Sequence, residues 1–67
     1  MDIRKKFGEK VRLLRKEKNL SQEELAHLAS IDRTYVSDIE KGERNVSIII
    51  IEKIAKSLDI ETYELLK

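Results

Sequence analysis

The sequence contains no cysteine, no proline and no tryptophan. Without cysteine there is no disulfide framework, no thiolate zinc site and no cysteine nucleophile. The one histidine, His27, cannot hold a metal ion by itself. Absence of proline, together with only two glycines, argues against a loop-rich or low-complexity chain. No long apolar run is present. Val46 to Ile51 is the longest uncharged apolar run, far short of the roughly 20 residues needed to span a bilayer. The start, MDIRKKFGEK, is positively charged but leads into no apolar segment, so it is not a signal peptide. An enzyme is also disfavoured, because 67 residues with no nucleophile–base constellation leave too little chain for a closed pocket. A small, soluble, cytoplasmic domain covering residues 1–67 is the expectation, with 40% charged and 40% hydrophobic residues.

The net charge of +1 hides an uneven distribution. Residues 1–20 carry eight basic and three acidic side chains, whereas the remainder carries six basic and ten acidic. A basic first third suits either an anionic partner or a solvated amphipathic helix.

Apolar spacing is helical throughout. Ile3, Phe7, Val11 and Leu14 form the stripe of a first helix, capped by Asp2 and ended by Asn19, with Leu20 tucking inward. Gly8 inside this helix costs about 1 kcal/mol relative to alanine and so marks close packing. Ser21 and Glu24 form a capping box for a second helix with Leu25, Ala26 and Ala29 inward. Asp32 caps a third, stopped by Gly42. Ser47 caps a fourth over residues 48–57, and a fifth short helix starts at about Glu61 or Thr62. The β-branched run at 46–51 has no second strand to pair with. The fold class is therefore all-α, with five helices.

The second and third helices, at 22–29 and 33–41, are joined by only Ser30, Ile31 and Asp32. So tight a joint forces a large crossing angle, the helix-turn-helix unit, whose second helix projects its first side chains into a major groove. Val36 and Ile39 anchor that helix, leaving Arg33, Thr34, Ser37 and Asp38 on its outer face.

The stretch LSQEELAHLASIDRTYVSDIEKGERNVS resembles the helix-turn-helix of the Xre family, the lambda-repressor-like fold also used by Cro proteins. DRTYVSDIE followed by RNVS is similar to controller proteins of type II restriction–modification systems. The resemblance spans about residues 3–66. It implies a homodimeric, sequence-specific transcriptional regulator that binds a palindromic operator in double-stranded DNA and needs no cofactor, membrane or small-molecule substrate. It also implies base reading by Arg33 and Thr34, with Ser37 and Asp38 on the same face. An arginine suits guanine O6 and N7, and a carboxylate suits cytosine N4. Backbone phosphate falls to Gln22, Tyr35, Lys41, Arg44 and Asn45, and Arg15 with Glu40 matches a family ion pair. Related modules serve as antitoxins and phage repressors, so a protein-interaction module is the alternative reading. Arg33-Thr34 together with Arg44-Asn45 favours DNA, and no methyltransferase or separate dimerisation domain is expected.

Four adjacent isoleucines, 48–51, cannot all face one core, because successive helical residues lie 100° apart. With Ile48 and Ile51 expected inside alongside Ile54, Ala55 and Leu58, the surplus falls on Ile49 or Ile50. These, with Tyr63, Leu65 and Leu66, make the expected dimer interface.

Overall fold

The structure, a computed structural model, describes residues 2–67. Four α-helices follow in order: α1 (Ile3–Glu17), α2 (Gln22–Ala29), α3 (Arg33–Glu40) and α4 (Ile48–Ser57). A terminal turn, Thr62–Leu66, is a 3₁₀ helix, so the expected fifth helix is a tighter and shorter element. It lacks a side-chain cap at Glu61, and five residues give little reward for completing an α-turn. Among the described residues there is no strand, and no helix is long and apolar enough to cross a membrane.

Each α-helix begins where a side-chain oxygen takes a free backbone N–H. Asp2 accepts from Arg4 at 2.9 Å and Asp32 from Thr34 at 2.8 Å. Ser21 and Glu24 complete their capping box at 3.0 and 2.8 Å, and Ser47 accepts from Ile50 at 3.1 Å. Hydrogen bonds from the Arg4 side chain and backbone hold the Asp2 carboxyl below the usual carboxylate range. This cap therefore contributes at neutral pH and is lost as acid protonates it.

Each α-helix ends in a left-handed residue: Asn19, Ser30, Gly42 and Asp59. The following N–H then reaches back five residues. Leu20 donates to Arg15, Ile31 to Ala26, Glu43 to Asp38 and Ile60 to Ala55, at 2.9–3.1 Å. Three of the four returning residues, Leu20, Ile31 and Ile60, pack on the core. At those three reversals the chain is thus turned inward by the residue that closes the helix.

The core gathers Phe7 and Val11 from α1, Leu25 and Ala26 from α2, Val36 and Ile39 from α3, Ile54 and Ala55 from α4, its C-cap Leu58, and Leu65. Two expected stripe members lie outside it. Ile3 is 64% exposed and Ile48 is 81% exposed. Ile48 shares a helical face with Ala55, but it is the first residue of α4 and overhangs the core. Its position along the axis, not its phase, exposes it. Ile50 and Ile51 pack partly against the core instead.

Leu65 corrects the expected dimer patch. It is 2% exposed and belongs to the interior, because the 3₁₀ turn folds back onto α1 and α4. Tyr63 and Leu66 stay outside.

Candidate nucleic-acid interface

The outer face of α3 carries the residues expected to read bases. Arg33 and Thr34 are exposed, while Ser37 and Asp38 are half-buried one turn further on. Beneath them, Val36 and Ile39 are buried and fix the rotation of the helix. Asp32 is engaged as the cap, so its charge sits at the helix N-terminus, where it is favourable.

The far end of α3 is held by Glu40. Arg15 Nε donates to Glu40 Oε2 at 2.7 Å and a terminal Arg15 nitrogen donates to Oε1 at 3.0 Å, a two-pronged pair. Both side chains are nearly inaccessible, at 9% and 4% exposure. The remaining Arg15 terminal nitrogen donates to the Leu20 carbonyl at 2.7 Å. The Glu40 carboxylate raises the Arg15 guanidinium further above its usual value, so the cation stays charged. Gln22 adds a third bond, its amide donating to Glu40 Oε1 at 3.1 Å. One carboxylate thus ties α1, the start of α2 and the end of α3 together.

The helix-turn-helix angle brings the amide of Gln22, an expected phosphate contact, onto Glu40. The eighteen residues separating the two follow no helical period, so spacing could not have revealed the contact.

Beyond α3, the reversal at Gly42 sends the chain back along the helix. Arg44 returns beside its second turn, where Nε donates to Asp38 Oδ2 at 3.3 Å. The guanidinium carbon lies 4.7 Å from the centre of the Tyr35 ring. Asp38 therefore faces Arg44. Lys41 and Asn45 are exposed on the same loop, and Tyr35 is half-buried. The result is a short helix that exposes Arg33 and Thr34 in its first turn, beside a loop that exposes Lys41, Arg44 and Asn45.

Profile comparison matches a helix-turn-helix domain over residues 11–65. The chain belongs to the Xre-type helix-turn-helix family. Control protein C.BamHI of Bacillus amyloliquefaciens is 53% identical over 66 residues, covering 97% of this chain and 82% of its own. The crystal structure of the restriction–modification controller protein C.AhdI from Aeromonas hydrophila has a TM-score of 0.91 and 53% identity. That match covers 92% of this chain and 94% of that one. SinR, the biofilm regulator solved in complex with DNA, gives a TM-score of 0.87 at 37% identity over 91% of this chain and 98% of its own. This helix-turn-helix protein is a DNA-binding transcriptional regulator of the controller type. In this unit α3 is the second helix, and the Arg15–Glu40–Gln22 cluster ties its end to α1 and to the start of α2.

Proposed function

We propose that this regulator binds a palindromic operator as a homodimer in the cytoplasm. The two copies of α3 lie in successive major grooves about 34 Å apart. The observation that carries this reading is the exposed first turn of α3. Arg33 and Thr34 project from a helix whose rotation Val36 and Ile39 lock and whose end Glu40 pins. Arg33 and Thr34 read bases, Ser37 is small enough for close approach, and Asp38 faces the same groove. Tyr35, Lys41, Arg44 and Asn45 set register on backbone phosphates. Gln22 keeps a second amide hydrogen beyond the one Glu40 holds, so it stays in that set.

Selection of bound duplexes from a random pool tests the reading. A palindrome with half-sites about one helical turn apart is expected; a pool that yields no enriched sequence overturns it. Arg33→Ala is expected to cost about 1–3 kcal/mol on the selected site and to relax preference at one base pair per half-site. Equal weakening on every sequence would make Arg33 a phosphate contact instead.

The dimer reading rests on Ile49, 63% exposed on α4, with Tyr63 at 62% and Leu66 at 55% on the adjacent 3₁₀ turn. Ile48 joins this set and Ile50 contributes only its accessible edge. Such apolar surface on so small a domain invites aggregation unless a partner covers it, and a two-fold axis covers both copies at once. Ile49→Lys is expected to give a folded monomer that binds a half-site weakly. Sedimentation at micromolar concentration decides it: a wild-type chain that remains monomeric while holding a palindrome tightly would sink the dimer.

A further inference from the structure

Arg44 is held on two sides before any DNA arrives. The loop closure from the Glu43 N–H to the Asp38 carbonyl, at 2.9 Å, fixes where the chain returns. The Asp38 carboxylate then takes Arg44 through Nε alone, and the Tyr35 ring lies against the guanidinium. This geometry leaves both terminal nitrogens of Arg44 available, and those are the pair of donors that matches two oxygens of one phosphate. The Asp38–Arg44 pair is solvent-accessible, at 25% and 47% exposure, so it orients Arg44 without adding much stability.

We propose that Asp38 is a positioning residue: it presents Arg44, stacked on Tyr35, to a backbone phosphate, and does not itself read a base. A long arginine side chain loses rotamer freedom when it grips a phosphate. Ordering it beforehand moves that cost out of the binding step. The proposal rests on the reading of Arg44 as a phosphate contact, and the two can be tested separately.

The sign of the effect is diagnostic. Asp38→Ala removes a negative charge from a DNA-facing surface, which by simple repulsion would strengthen binding. Lost positioning predicts the opposite, a drop of about twofold to tenfold in affinity, equal on the selected operator and on single-base variants of it. Asp38→Asn, whose amide oxygen still accepts the Arg44 Nε–H, is expected to stay near wild type. Arg44→Gln is expected to weaken operator and scrambled duplexes alike and to reduce the salt slope by about one per protomer. In that background Asp38→Ala should cost nothing further, because the two act as one unit. Tighter binding by Asp38→Ala, a loss confined to one base pair, or an equal loss in the Arg44→Gln background would each overturn the proposal. If instead Arg44→Gln leaves affinity and salt slope unchanged, the phosphate contact itself is wrong and the role of Asp38 falls with it.

Discussion

Glu40→Gln is expected to destabilise the fold by about 3–5 kcal/mol, because it leaves the nearly inaccessible Arg15 cation without its counter-charge. The whole stability of a domain this size is of the order of 3–10 kcal/mol, so the variant sits near the edge of folding. The loss falls on three elements at once. Arg15 on α1 and Gln22 at the start of α2 both end on this carboxylate, and it closes α3. Denaturant melts would read the effect as a lower midpoint at unchanged slope. Arg15→Met combined with Glu40→Leu is expected to recover part of the loss, since an apolar pair of similar volume leaves no orphan charge. A Glu40→Gln chain that melts with the wild type but prefers a different operator would show that the pair contributes to reading rather than to folding.

Gly8→Ala is expected to destabilise the protein by about 2–3 kcal/mol, although alanine is the better helix former by about 1 kcal/mol. A Cβ at position 8 would fall on the Ile39 carbonyl oxygen and within 2.9 Å of the Glu40 carbonyl oxygen. These are backbone atoms, and the Ile39 carbonyl already accepts from Gly42 at 3.0 Å, so they cannot move aside cheaply. Gly8 and Arg15 stand two turns apart on α1, and both meet the end of α3. The glycine lets the helices approach closely enough for the arginine to reach Glu40. Alanine should push α3 outward and shift its first turn, so operator affinity is expected to fall with stability. Chemical melts of the two chains check this; a more stable alanine variant would refute the close approach.

Much of the fold was legible because its signals are local. Caps at Asp2, Ser21, Asp32 and Ser47, and the stop at Gly42, each concern only the few residues beside them. Apolar period placed Phe7, Val11, Leu25, Val36, Ile39 and Ile54 inside, because a helix that must bury one face repeats it every three to four residues. The outer-face side chains of α3 follow from the same period, read on its opposite side.

The chain's own order of residues thus determined the helices, the joint between α2 and α3, and the outward set Arg33, Thr34, Ser37 and Asp38. Tertiary structure alone decided which side chains meet across elements. Glu40 gathers Arg15 and Gln22 from 25 and 18 residues away, and Arg44 comes back to Asp38 and Tyr35 only because the chain reverses at Gly42. It also decided burial at the ends of elements, where period is silent. Ile48 has the phase of a core residue but overhangs the core, whereas Leu65 is carried inside by the fold-back of a short 3₁₀ turn. Periodicity reports an angle around a helix axis. Position along that axis, and the neighbour waiting there, depend on how the helices are packed.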